Sequence, residues 1–258
     1  MSMTLRGRTA RTRSRESHAA LREYRKRARN CGSISGMMSI FDPVAGPQRV
    51  VEGDEVESFL RDKIGIEAMV LGKALLAGAA EAAMVTPHSV AAASGWRMYD
   101  GVVKALRDEL VPEGWRVFRP GGLETVVRND NHCQITAALG NEHTGLRPPS
   151  NPSCEHERGA ATLEAVDANQ RSLAGLAPLD PALRPIQTWW LLYHFVERDG
   201  DRLVRAELSL PVRAERRLIV DWACRVLLGE FGSATTRSNI PEPAPEPFIP
   251  KPRRRVSN

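Results

Sequence analysis

The sequence predicts an α+β fold: an N-terminal helical hairpin packed on an antiparallel sheet of about five or six strands, with disordered basic termini. Three observations predict it. Apolar residues recur at helical spacing between positions 54 and 110. After Trp115 the spacing changes to two, and Asp199-Gly200 separates two long alternating runs. An α-helix presents one face every 3.6 residues and a strand every second residue, so the change of period marks a change of structure.

The first helix is expected from Asp54 to Met84. Asp54 is placed as an N-cap, and Glu57 stands three residues on as in a capping box. Val56, Phe59, Leu60, Ile64, Met69 and Val70 follow the helical period, while Gly65, Gly72 and Gly78 weaken it and allow a break. A second helix starts at Thr86 as N-cap with Pro87 as first helical residue, where a missing N–H does no harm. Tyr99, Val103, Leu106 and Leu110 give its apolar stripe, and VPEG ends it. Such a hairpin forms a core layer or an oligomer interface.

Strand signals follow. WRVFRP and LETVVR flank Pro120, Gly121 and Gly122 as a hairpin, and HCQITAAL is a third strand after the NDN turn. Residues 140–152 read as a polar loop, GAATLEAVDANQRSLAG as a short helix ended by Gly175, and APLDPALRP as a loop. TWWLLYHFV and RLVRAELSLP pair through Asp199-Gly200, because Asp-Gly suits the tight turn of a hairpin. Leu218, Val220, Trp222, Cys224, Val226 and Leu228 alternate strictly, which favours a strand over a helix. The five tryptophans, Trp96, Trp115, Trp189, Trp190 and Trp222, read as core rather than as a base-stacking surface.

Charge divides the chain more sharply than its net value of +5. Residues 1–30 hold ten Arg and Lys against two Glu, and residues 231–258 hold five against two. The stretch 31–230 holds 21 basic and 27 acidic residues, so an acidic body carries basic ends. The chain therefore divides into a basic disordered arm and linker at 1–53, one α+β domain at 54–230, and a Pro-rich basic tail at 231–258. A basic arm is the electrostatic footprint of a polyanion binder, and here it offers Arg6, Arg8, Arg11, Arg13, Arg15, Arg25, Lys26, Arg27 and Arg29. The alternatives are a solvated tail and an organelle transit peptide.

Several classes are disfavoured. No apolar run reaches the ~18 residues of a membrane-spanning helix, and the N-terminus has no apolar core of a secretory signal. Cys31, Cys133, Cys154 and Cys224 lie far apart, as expected of reduced thiols in a cytoplasmic protein. No phosphate-cradling glycine motif occurs, and the sequence names no cofactor.

One polar stretch concentrates candidate chemistry. Residues 131–159 contain Cys133, His143, Cys154 and His156, which would supply a Cys2His2 metal set. Their spacing lacks the tight ligand pairs of structural zinc sites, so a polar loop is the competing expectation. Glu142 and His143 are also neighbours, and a carboxylate beside an imidazole suits general acid–base catalysis. Asp130, Asn131 and His132 stand at the preceding turn. These are ingredients of small His-Asn-His nucleases, without the order or spacing of that motif.

A second constellation comes from strand pairing. With a two-residue loop, Arg198 opposes Asp201, and Phe195, Tyr193, Leu191 and Trp189 face Val204, Ala206, Leu208 and Leu210. On the other face His194 meets Arg205 and Leu192 meets Glu207. A third strand at 218–228 would place Asp221 opposite Glu207, so His194, Glu207 and Asp221 become candidate catalytic residues around a divalent metal. The structural alternative is an ordinary polar face. Trp190, Leu192 and Val196 share that face, however, so Glu207 is expected to be covered and to need Arg205 or Arg225 as partner.

Three functional classes follow. The first is a non-enzymatic nucleic-acid-associated or adaptor protein tethered by basic ends. The second is a protein-interaction or assembly module with a protein partner or a second copy. The third is a metal-dependent, nuclease-like hydrolase. No membrane partner is expected.

Overall fold

The computed structural model describes residues 48–173, 185–198 and 200–232. These form a mixed α+β structure with one sheet of seven strands and four helices. In chain order they are β1 (Arg49–Val51), α1 (Glu55–Phe59), α2 (Ala68–Ala83), α3 (Ala93–Leu110), β2 (Arg116–Phe118), β3 (Thr125–Val127), β4 (Cys133–Leu139), α4 (Ala160–Leu173), β5 (Gln187–Arg198), β6 (Asp201–Glu215) and β7 (Leu218–Phe231). The strand order is β1-β7-β6-β5-β4-β3-β2.

The sheet is mixed rather than antiparallel, and it has seven strands rather than five or six. β4 and β5 run parallel, with Ile135 opposite Trp189 and Ala137 opposite Leu191. Parallel neighbours need a long crossover, and the 140–186 segment with α4 supplies it. The additional strand is β1, which pairs parallel with β7 through Arg49–Cys224 and Val51–Val226. It lies inside the stretch expected to be arm and linker. Three residues are too few to show a period, and Val51 gains its place only by burial against β7.

The helical region also begins differently. Asp54 has helical backbone angles and makes no capping bond, and Glu57 instead accepts the Ala68 amide at 3.1 Å. After α1 the helix widens over Leu60–Ile64 and stops at Gly65, whose φ of 84° is left-handed. The break therefore falls at Gly65 and not at the other two glycines. Gly72 and Gly78 sit inside α2 because they let neighbours approach: a Cβ on Gly72 would lie 2.9 Å from the Phe231 ring, and one on Gly78 2.7 Å from the Met98 carbonyl. α3 starts at Ala93, seven residues beyond the expected cap. Thr86–Ala92 forms turns instead, closed by the Ser89 amide on the Thr86 carbonyl. In α3, Met98, Val102, Leu106 and Leu110 are buried, and Tyr99 is half-buried.

β5 and β6 adopt the register that a two-residue loop dictates. Arg198 lies opposite Asp201, His194 opposite Arg205, and Leu192 opposite Glu207. Residues of one parity, including Leu191, Tyr193, Ala206 and Leu208, join α2 and α3 in the larger core. The other parity faces a smaller core of Ala138, Cys154, Val166, Trp190, Leu192, Ile219 and Trp222. Both faces are thus covered, as the apolar residues of 190–196 required. Register shifts interrupt β6 and β7 near Ala206–Glu207 and between Leu210 and Ala214. Such bulges bend a strand pair, and beyond them Ala214 and Ile219 pack into the smaller core. Trp115, Trp189, Trp190 and Trp222 are buried, whereas Trp96 is 69% exposed.

No helix of the described residues is long and apolar enough to cross a membrane. The basic arm, the Pro-rich tail from 233 onward, and Gly175 lie outside the described residues.

Candidate functional site

The segment 140–153 lies against the smaller-core side of β5, β6 and β7, and side chains of all three strands hold its backbone. His194 on β5 meets the Gly140 carbonyl through Nδ1 at 3.0 Å. Arg205 on β6 donates Nε to the Thr144 carbonyl at 2.6 Å and Nη2 to the Glu142 carbonyl at 2.5 Å. Glu207 accepts the Gly145 amide at 2.7 Å. Arg225 on β7 donates to the Leu146 and Ser150 carbonyls at 2.9 and 2.8 Å. Inside the loop, the Asn141 side-chain oxygen accepts from the amides of His143 and Ser153. Asn is suited to this because its short amide substitutes for a backbone turn.

Glycine is required where the loop meets the sheet. Gly145 has a φ of 71°, and a Cβ there would stand 2.8 Å from the Arg205 side chain and 3.2 Å from the Ala206 carbonyl. The sequence showed Gly140 and Gly145 only as loop residues. Gly145 lets the loop descend onto Arg205 and Glu207, whereas a Cβ on Gly140 would collide with the Thr144 hydroxyl within the loop itself.

Glu207 and Arg225 are both fully buried. Arg225 Nε and Nη2 reach the two carboxylate oxygens at 3.0 and 2.5 Å, and the Ser209 hydroxyl donates at 2.6 Å. With Gly145, four donors converge on Glu207. A carboxylate offers about four lone-pair sites, so its accepting capacity is filled from within the chain. The expected need for a partner is met by Arg225, while Arg205 turns to the loop.

The other expected site residues are dispersed. Asp221 lies opposite Arg213, not Glu207, and accepts from its Nε at 2.8 Å. The reason is the length of β6: the strand continues past Pro211 to Glu215, which moves every β7 partner along. Leu227 therefore takes the position opposite Glu207. Glu142 and His143 are solvent-facing neighbours, 3.6 Å apart, with 73% and 44% of their side chains exposed. Asp130 and His132 do not join them, because the seven residues of β4 intervene, roughly 20 Å of strand. Instead, Asp130 takes up the Arg128 guanidinium at 2.6–2.9 Å and the His132 amide at 2.9 Å. The Arg128 bonds hold its carboxyl well below the usual range, at about 2.

The four proposed metal ligands do not converge either. Cys133 belongs to the larger core and Cys154 to the smaller one, on opposite faces of the sheet. His156 is exposed. Among the described residues, no three His, Cys, Asp or Glu side chains group closely enough to hold a metal ion. Burial pushes the Cys133 thiol up to about 12 and the Cys224 thiol to about 11, and it raises Cys154 as well. Nucleophilic and metal-binding chemistry both need the thiolate, which this burial suppresses.

A buried polar seam on the same face escaped the sequence reading. Thr125 donates to Gln134 at 3.1 Å, and Gln134 to Thr188 at 2.8 Å. Asn169 of α4 completes it, accepting the Thr188 amide and donating to the carbonyls of Thr188 and Pro211. The signal was available: Thr162, Val166 and Asn169 share one helical face, so Asn169 had to be buried with its amide satisfied. Arg6, Arg8, Arg11, Arg13, Arg15, Arg25, Lys26, Arg27 and Arg29 lie outside the described residues. No family model, no curated protein and no solved structure matches the chain.

Proposed function

We propose that this protein is a non-enzymatic, nucleic-acid-associated adaptor, in which a basic N-terminal arm holds a folded acidic body on a polyanion. One observation carries the reading. Ten Arg and Lys against two Glu fall in the first 30 residues, while 31–230 is acidic by six charges, with 21 basic against 27 acidic residues. Arginines at that density attract phosphates through counterion release, and the net charge of the body is of the opposite sign. The burial of Glu207 supports the non-enzymatic part, since this candidate carboxylate is committed to Arg225 and Gly145.

The assembly-module reading has a specific observation of its own. Met84, Val90 and Trp96 are 65%, 76% and 69% exposed around the connection between α2 and α3. Exposed apolar residues mark partner sites where they form a contiguous patch.

Binding of the full chain to an unrelated duplex DNA and to a single-stranded RNA tests the adaptor reading. The comparison is a full chain in which the nine arm residues from Arg6 to Arg29 named above are replaced by Gln. The natural chain is expected to bind with steep salt dependence, and the Gln chain to lose both affinity and slope. Equal binding by the two chains overturns the reading.

A further inference from the structure

An open groove of about 580 Å³ lies between α1, the start of α2 and the end of β7. That volume is within the range of ligand sites. Val56, Ala68, Leu227 and Leu228 give it an apolar floor, and Asp54 and Glu57 stand on its rim. The floor is fixed, because Val56, Ala68 and Leu228 also pack against the larger core. Gly53 and Gly229 line the walls with positive φ, and a Cβ on either would meet nothing within 4 Å. The backbone there is open to close approach.

Two further acids flank the lining residues in the chain. Glu55 follows Asp54, and Glu67 directly precedes Ala68. Asp54, Glu55 and Glu67 are exposed, and neither Asp54 nor Glu67 caps its helix. Among the described residues none of these three carboxylates joins an ion pair. The neighbouring acids that do are Glu57 with Arg61 at 3.0 Å, Glu52 with Arg147 at 2.6 Å, and Glu230 with Arg198 at 2.9 Å. Among the described residues the groove therefore combines an apolar floor with one unpaired rim carboxylate, Asp54, and two more, Glu55 and Glu67, beside it in the chain. A phosphate-bearing ligand is repelled by that rim, and an uncharged ligand leaves it unused.

We infer that this groove binds a Lys- or Arg-rich peptide segment of another protein, with one aliphatic side chain seated on Leu227, Leu228 and Val56. The basic groups sit against Asp54, Glu55 and Glu67, and the peptide backbone passes over Gly53 and Gly229. The inference uses no arm residue and stands apart from the polyanion reading.

The test is fluorescence anisotropy of the full chain with a labelled peptide of alternating arginine and glycine around one central leucine. The same peptide with serine for leucine is the companion probe. Asp54→Lys/Glu67→Lys alters the rim at two exposed positions, and Glu164→Lys/Asp167→Lys makes the same charge change on α4 as a control. Asp54→Asn/Glu67→Gln serves if the lysine chain melts at a different temperature from the natural one. The leucine peptide is expected to bind the natural and control chains alike. Binding should weaken about fivefold or more with serine, and about tenfold or more with the rim variant. Equal binding to the natural and rim-variant chains overturns the inference, and so does indifference to the leucine. Self-association of the natural chain that the rim variant abolishes also overturns it, by assigning the groove to a second copy.

Discussion

Arg225 reaches diagonally across β6 and β7 to Glu207, its Nη2 lying 2.5 Å from Oε2, and neither side chain has exposed surface. The same guanidinium donates to two loop carbonyls, and the same carboxylate accepts a loop amide. One ion pair therefore joins the sheet to the segment 140–153. Breaking a buried pair from one side leaves an uncompensated charge. Glu207→Ala and Arg225→Ala are each expected to lose about 3–5 kcal/mol of stability. The double replacement should lose clearly less than the sum. Urea denaturation of the three variants measures the coupling, and additive losses would contradict it.

Arg205 acts on the loop without being part of the pair. It donates to the Thr144 and Glu142 carbonyls. Arg205→Ala should destabilise the protein by about 1–2 kcal/mol and release residues 141–146 first. Amide hydrogen exchange would show faster exchange there than in β5 or β6. Unchanged protection of Gly145 would contradict the role given to Arg205.

The buried thiols make stability fall at high pH. For Cys133 and Cys224 the folded value lies above the ordinary 9.0, so the neutral thiol is the form that folding favours. Their contribution is complete below about pH 9 and is lost as pH rises through about 11 for Cys224 and about 12 for Cys133. In the native protein at pH 8, a thiol reagent should modify Cys133, Cys154 and Cys224 slowly, and fast after denaturation. Rapid native labelling at these positions, located by peptide mapping, would contradict the burial.

Asp130 gives the opposite limb. Its carboxyl is held at about 2 against an ordinary 3.8, chiefly by the hydrogen bonds from Arg128. The stabilisation is present above about pH 4 and is lost as pH falls through about 2. Over half of the side chain is exposed, 54%, so the effect is expected to stay under about 1 kcal/mol. Asp130→Asn should flatten the acid limb of the melting temperature between those values. It should also loosen Arg128, which donates to the Ile64 carbonyl at 2.8 Å.

The turn between β6 and β7 can be improved. Glu215 pairs with Leu218, so Arg216 and Arg217 form a two-residue loop, and both have positive φ, 47° and 68°. Asn and Gly fit such turns because they tolerate left-handed backbone. Arg217 is occupied, donating Nε to the Arg158 carbonyl at 2.8 Å. Arg216→Asn alone should therefore raise stability by about 0.5–1 kcal/mol. A lower melting temperature for this variant would show that the Arg216 side chain makes a contact worth more than the backbone strain.

The β5–β6 register was legible because it is local. Asp199-Gly200 sets the loop length, and alternation then assigns each side chain to a face. The same reasoning required a partner for Glu207. The Asp221 assignment failed because β6 runs on to Glu215 with bulges near Pro211, and no local signal marks an extra residue in a strand. Likewise, the metal set failed because Cys133 and Cys154 are close in sequence but lie on opposite faces of β4 and its neighbours.

The sequence by itself determined the mixed class, the alternation of β5, β6 and β7, and the uneven charge, since these depend on period, composition and a short turn. Only the tertiary structure decided that β4 and β5 run parallel, that Arg49–Val51 joins the sheet, and that Arg225 rather than Arg205 takes Glu207. Those choices are made between segments far apart in the chain. Burial removes the water that would satisfy each polar group, and the partner is whichever side chain the packed sheet brings within bonding distance.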